Sequence, residues 1–379
     1  MDKRERLERY LDSQDLDSVW FARPNAFAWL TGGTNVVDRE TDAGVAAVGY
    51  DGSAVRIVTD NIEADRILTE EIPDLERDAV SLEEFPWHAS SLADAIASRV
   101  GPNERAAADI DVSGLERVDP TPLRQPLTEQ DRERYRRLGQ ETAAAVESVC
   151  RELRSDDSEH EVASALRVAL SARDIEAPVV LVGGAERAQQ YRHYTPTEAE
   201  LGDYALVSVT TQRAGLHASC TRTVAFEPPA WLEERHEHAA RAEASALAAT
   251  QEAAASTDED SATAGTDDGA TAGDVFEAIQ RAYDELGYAD EWERHHQGGA
   301  AGFAGREWIA TPDHEAPITA PMAYAWNPTI EGAKSEDTHL VTDDDIEALT
   351  TTDRWPTTTV DAVAHDVTLE RPGVLGLEN

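Results

Sequence analysis

The chain has 379 residues, with 75 Asp and Glu against 33 Lys and Arg and two cysteines. This length suits two or three domains with sizeable cores. A formal net charge of -42 repels phosphate backbones and argues against nucleic acid as a partner, while two cysteines, Cys150 and Cys220, are too few for a disulfide framework or a Cys-rich zinc site.

The acidic residues are spread over every segment, and lysine occurs only at Lys3 and Lys334. A uniformly acidic surface is tuned to high salt, where self-repulsion is screened. It points to an extreme halophile, a haloarchaeon. No apolar run reaches the roughly 18 residues that cross a bilayer, so no membrane is expected. The N-terminus, MDKRERLERYLDSQDLDSVWF, is a charged amphipathic helix rather than a signal peptide, and the expected location is cytoplasmic.

In chain order, RERLERYLDSQDL has helical spacing and SVWFA reads as a buried strand. PNAFAWLTGG reads as a turn and partial strand, and AGVAAVGYDGSAVRIVTD as a hairpin around Asp51-Gly52. SSLADAIASRVG predicts a helix ending at Gly101, and RAAADIDVSG a strand. Together these predict an α/β domain over 1–125. DPTPLRQPLTEQD carries Pro120, Pro122 and Pro126, which disfavour regular structure and mark the boundary. Thr128 can cap the next helix, with Asp131 as the acidic partner of a capping box. Tyr135, Leu138, Thr142, Val146, Val149 and Leu153 follow at helical spacing.

A second helix is predicted over HEVASALRVALSARDI, then strands over PVVLVGG, YALVSVTT and HASCTRTVAF. The Ala-rich stretch 233–252 is helical. Residues 256–273, STDEDSATAGTDDGATAG, have no apolar periodicity and read as a flexible acidic loop. DVFEAIQRAYDELGY resumes a helix, and short strands and turns complete the chain. The second domain, 126–379, is therefore expected to be α+β.

Several segments, in order, resemble the creatinase/prolidase/methionine-aminopeptidase family, the pita-bread hydrolases. They are FARPNAFAWLTGG, PLRQPLTEQDRERYRR, YRHYTPTEAELGDYALVSV, TRTVAF, GATAGDVFEAIQRAYDELGY and SEDTHLVT. The resemblance covers nearly the whole length. It implies a C-terminal pita-bread domain preceded by a creatinase-like N-terminal α/β domain. Most members place five metal ligands on this scaffold, Asp, Asp, His, Glu and Glu. Carried over, the Asp positions fall on Ser208 and Ser219, and one Glu position on Asn327. The other falls on Glu336. The His falls on His295, or else on Gly299 with His296 close by. A hydroxyl or amide is a neutral and weaker ligand, so no dinuclear metal and no other cofactor is expected.

Creatinase, within the family, works without metal, using a His as acid/base and Glu side chains to hold a guanidinium-like substrate. Its His lies in the segment matching His193 and one Glu in that matching Glu336, whereas Thr221 stands where its other Glu lies. The resemblance therefore implies His193, Glu336 and His296 as catalytic groups. His295, Asn327, Lys334, Ser208 and Ser219 would bind substrate, with no metal ligands. Lys334 is expected to pair with Glu336 or a substrate carboxylate. Arg306 is expected either to pair with Glu307 or to bind substrate, and Arg222 to pair with a core carboxylate.

The expected activity is hydrolysis of a C–N bond in a small amide- or guanidine-like substrate. The alternatives are an Xaa-Pro metallopeptidase acting on dipeptide-like substrates and an inactive binding or scaffold protein. A homodimer is the expected assembly.

The charge balance makes one solution prediction. At 0.01 M salt repulsion reaches roughly 30 Å, against about 3 Å at 1 M, so the melting temperature is expected to fall on dialysis from molar salt into dilute buffer. A melting temperature that holds steady on dialysis overturns the halophile reading.

Overall fold

The computed structural model describes residues 2–256 and 269–378. It divides into two compact units, Met1–Thr128 and Glu129–Asn379. The sequence puts this break at 125/126; here it falls slightly later, at the start of a long helix.

The first unit contains α1 (Lys3–Gln14), β1 (Ser18–Phe21), α2 (Pro24–Thr31), β2 (Ala46–Tyr50), β3 (Val55–Asp60), α3 (Ala64–Glu70), β4 (Val80–Phe85), α4 (Leu92–Ala97), β5 (Ala106–Ala108) and β6 (Glu116–Arg117). Its strands form one mixed sheet in the order β4-β3-β2-β1-β5-β6. Trp20, Val58, Phe85 and Ile96 pack together in its core. The reading of 24–33 as a turn and partial strand is corrected: Pro24–Thr31 is a helix. Pro24 fits the first helical turn, where no N–H is needed, and Gly32 at φ 76° closes the helix by donating its N–H to Ala28 O. Its residues from Ala26 to Thr31 are all buried, which erases the amphipathic period that marks a helix in sequence.

The second unit begins with α5 (Glu129–Cys150), α6 (Glu159–Ser171), β7 (Glu176–Gly184), α7 (Ala185–Gln190), β8 (Tyr204–Arg213), β9 (Leu216–Ala225), α8 (Leu232–Ala255) and α9 (Ala272–Glu285). It continues with β10 (Gly298–Ala301), β11 (Met322–Trp326), β12 (Thr329–Ile330), β13 (Ala333–Lys334), β14 (His339–Val341), β15 (Ile346–Ala348), β16 (Thr357–Asp361), β17 (Thr368–Pro372) and β18 (Val374–Gly376). One sheet runs β18-β9-β8-β7 and a second β10-β11-β14-β15, with two-stranded pairs β12-β13 and β16-β17. Helices packed on largely antiparallel sheets make this unit α+β. Of the loop expected at 256–273, residues 257–268 lie outside the described residues. Its end is corrected, because Thr271 and Asp274 form a capping box and Ala272 and Gly273 are already helical.

The β8–β9 hairpin is the platform for everything that follows. Ala214 and Gly215, at φ 48° and 80°, form the two-residue turn between paired Arg213 and Leu216. Alternation then separates the two faces. Val207, Val209, Cys220 and Val224 pack with Val146, Cys150, Val162 and Leu166 of α5 and α6. The other face carries the hydroxyl pairs Ser208–Thr221 and Thr210–Ser219.

A charge network is buried on the core side. Arg222 on β9 bonds Glu147 of α5 (3.2 Å), Asp337 (3.0 Å) and the Thr350 carbonyl (2.6 Å). Arg371 on β17 bonds Glu243 of α8 (2.7 Å) and Asp337 (3.0 Å), and donates to His339 Nε2 (2.7 Å). Burial opposes the charge on Arg222, but Asp337 and Glu147 outweigh it and hold its pKa above the ordinary value. Glu243 also accepts the Asp337 N–H and the Ser335 hydroxyl. Replacing Arg222 with Leu would leave Glu147 and Asp337 short of a buried partner. A loss of about 3–5 kcal/mol is expected, read by denaturant titration in molar salt. A loss below about 1 kcal/mol would show the network to be dispensable.

Candidate functional site

Glu336 lies between β13 and β14, in a segment that runs alongside β9. Thr221 N–H donates to its carbonyl (2.8 Å), and Ser219 N–H donates to the Thr338 hydroxyl (2.8 Å). The Glu336 side chain points to the hydroxyl face of the hairpin. Its Oε2 takes the Lys334 ammonium (2.8 Å) and the Thr221 hydroxyl (2.9 Å), and its Oε1 takes Arg306 Nη2 (2.9 Å). Burial alone would raise the Glu336 pKa, but Lys334 and Arg306 override it and hold the carboxylate at about 2. The hydroxyls extend the chain of contacts. Thr221 meets Ser208 at 2.8 Å, Ser208 meets the Tyr194 hydroxyl at 3.2 Å, and Ser219 meets Thr210 at 2.9 Å. Arg306 Nη1 reaches Ser219 Oγ at 3.3 Å. Arg306 thus pairs with Glu336 rather than with the adjacent Glu307, which accepts the Ala304 N–H.

Three imidazoles gather next to this group. His193 follows α7, whereas His295 and His296 follow a 3-10 turn, Glu291–Arg294. An ion pair between Arg192 and Glu291 ties the two segments together. His193 Nε2 and His295 Nε2 are 3.1 Å apart, so one of them carries the shared proton. His295 and His296 stack with ring centroids 4.3 Å apart. All three are pushed toward the neutral form. Burial, then Lys334, lowers His193; burial, then Lys334, lowers His295 to about 2; burial, then Arg306, lowers His296 to about 4. Glu336 pulls the other way in each case.

The structure thus joins Glu336 to Lys334 directly, to Ser208 through Thr221 and to Ser219 through Arg306, and brings His193 together with His295 and His296. Lys334 and Glu336 couple the two groups electrostatically. Asn327 is buried just after β11. Its N–H donates to the Gln297 carbonyl (3.0 Å), and its Oδ1 has no partner among the described residues. Both Glu336 oxygens already accept from the chain's own cations, so a cationic or amide N–H group of a substrate would have to share them. Sequence reasoning missed the links from Arg306 to Glu336 and from Thr221 to Ser208. The alternating hydroxyls of YALVSVTT and HASCTRT were the available signal.

A model of the metallopeptidase family M24 matches residues 133–343. The chain belongs to this family. Among solved structures, the prolidase from Pyrococcus horikoshii OT3 is similar with a TM-score of 0.72 and 16% identity, over 93% of this chain and 99% of that one. The prolidase from Pyrococcus furiosus has a TM-score of 0.71 and 18% identity, over 92% and 100%. The X-Pro aminopeptidase from Thermotoga maritima MSB8 has a TM-score of 0.71 and 15% identity, over 99% and 100%. At these identities the likeness describes the fold. No curated protein matches the chain.

The residues of this M24 chain do not fit the family's metal pair. Ser208 and Ser219 are neutral and hydrogen-bonded to threonines, and Glu336 is compensated by an ammonium and a guanidinium. A Cβ at Gly299 would lie 2.3 Å from the Trp308 carbonyl, which leaves no room for an imidazole there. Two divalent ions need several anionic ligands, and this donor set supplies one, already neutralised.

The buried imidazole of His295 gives a pH prediction. Its folded pKa lies below the unfolded value of about 6.5, so the unfolded state binds the extra proton. Stability is then full above pH 6.5 and falls with pH below it. For His295 the loss is about 2 kcal/mol at pH 5. In a chelating buffer with molar salt, His295→Gln is expected to flatten the decline in melting temperature between pH 7 and 5. A slope identical to that of the unsubstituted chain would show that the His295 pKa does not change on folding.

Proposed function

We propose that this chain hydrolyses an amide C–N bond in a small, dipeptide-like substrate that bears a carboxylate, without the family's metal pair. One observation carries the reading: two cations, the buried Lys334 and the part-buried Arg306, share one carboxylate beside neutral imidazoles. Glu336 occupies a single N–H of the Lys334 ammonium, and Arg306 Nε has no partner among the described residues. With neutral histidines these three groups sum to +1, which favours an anionic group of the substrate and disfavours a guanidinium.

His193 supplies the base. It opens to solvent, its pKa is lowered, and at neutral pH it is uncharged. With Nε2–H donated to His295 Nε2, Nδ1 keeps a free lone pair. A water activated by that lone pair adds to the amide carbonyl, and the water proton moves to His193. The new oxyanion is met by the spare N–H groups of Lys334 and Arg306. As the intermediate collapses, the C–N bond breaks and the departing amine takes the proton back from His193. His295 is a positioning residue that fixes the tautomer of His193.

Membership of a metallopeptidase family favours a second reading, Xaa-Pro dipeptide hydrolysis with bound metal. The test separates the two. Dipeptides, including Xaa-Pro, and N-acyl amino acids are assayed in molar salt with and without a strong chelator. The expected result is hydrolysis that survives chelation and falls about 100- to 10,000-fold in His193→Ala. Activity that needs added Mn2+ or Co2+, with two ions per chain by elemental analysis, would establish the metallopeptidase instead. Tight binding of these compounds without turnover would leave a binding protein.

A further inference from the structure

We infer that His193, His295 and His296 form a site for a single borderline d-block divalent ion such as Zn2+, Co2+, Ni2+ or Cu2+. Of its three residues, only His295 coincides with a position on which the family resemblance can place one of the five ligands. One ring nitrogen from each lies within 4.8 Å of the others, and among the described residues this is the one group of three or more His, Cys, Asp or Glu side chains close enough to share an ion. The closest pair, 3.1 Å apart, is near the roughly 3.3 Å edge of a tetrahedron with Zn–N bonds of about 2.0 Å. The wider gaps, up to 4.8 Å, require the rings to rotate toward a common point when the ion binds.

The arrangement is held before any ion arrives. The Arg192–Glu291 ion pair anchors both contributing segments, and Gln297 Nε2 donates to the His295 and Trp292 carbonyls. The Nδ1 atoms of His295 and His296 are buried without a hydrogen-bond partner, so each imidazole keeps capacity the protein itself does not use. The neutral state of the three rings is also the state that binds metal.

The donor set fixes the class of ion. Three imidazoles and no carboxylate suit Zn2+, Co2+, Ni2+ or Cu2+ and give Mg2+ or Ca2+ no oxygen ligands. Binding moves no net proton from neutral rings: a ring that uses Nε2 as ligand keeps its proton on Nδ1. The +1 sum of Lys334, Arg306 and Glu336 opposes a bare cation and favours an anion, hydroxide or chloride, in the open position. The effect on turnover rests on the reading of His193 as the base: an ion that takes its lone pair would inhibit the reaction. The binding itself does not depend on that reading.

The test uses the full-length chain, stripped by chelation and held in molar KCl to screen its acidic surface. Co2+ is titrated by visible absorption and Zn2+ by calorimetry. The expected result is one ion per chain, with the intense Co2+ bands of low coordination number. His295→Gln and His296→Gln should each weaken binding by about 100-fold or more, since loss of even an outer-shell partner costs 10- to 100-fold. The exposed His160 is the control, and His160→Gln should change nothing. His193→Gln tests the same site at its solvent-facing ligand, where the core is not disturbed, and melting without metal checks that each variant folds. No spectral change up to millimolar Co2+ overturns the proposal, as does binding that survives the double variant His295→Gln/His296→Gln. Because these readouts need no substrate, failure of the hydrolysis assay and failure of the metal site are told apart.

Discussion

The site depends on how Asp337 is held. In an extended stretch, neighbouring side chains point to opposite sides. Asp337 points into the core, where Arg222 and Arg371 each take one of its oxygens, and that fixes Glu336 toward the hydroxyl face of β8 and β9. Removing either arginine would leave a buried carboxylate short of a partner, which is far worse than never having buried the pair. The network gathers β9, α5, α8, β17 and the 335–338 segment around one residue. Glu336 is therefore positioned by its neighbour, not by its own bonds alone.

On the other side of that segment the chain supplies its own positive charge. Lys334 and Arg306 converge on Glu336 where the family resemblance places a metal ligand. The pairing has a physical logic. Ser208 and Ser219 offer hydroxyls rather than the anions that hold divalent ions, and a lone buried carboxylate beside them would be costly unless cations from the chain met it. A guanidinium and an ammonium do this within hydrogen-bonding distance. Burial first, and then the fields of these cations, push the nearby imidazoles to the neutral form.

Much of the framework was legible in the chain. The long apolar-periodic helices α5, α6 and α9, and the alternating strands β8 and β9, announce themselves because each buries one face and wets or bonds the other. The helix at Pro24–Thr31 did not, because nearly all of it is buried and no polar face remains to set the period. The short, charged α3 and the polar strand β4 escaped for the opposite reason, having few apolar residues to count. In the site, Ser208, Ser219, Lys334, Glu336 and the three histidines could be picked out by position. The bond from Arg306 to Glu336 could not, since a charged residue next to Glu307 gives no sign of which carboxylate it will reach.

The sequence by itself determined the surface charge, the order of the second unit's main elements and the absence of aspartates at two positions on β8 and β9, because composition and periodicity are local properties of the chain. Only the tertiary structure decided that Glu336 is already neutralised, that Gly299 has no room for a side chain and that His193 meets His295 and His296. Each of those facts is a contact between segments far apart in sequence. Such contacts are set by how β9, β13 and the loops around α7 and β10 pack together, which no local pattern encodes.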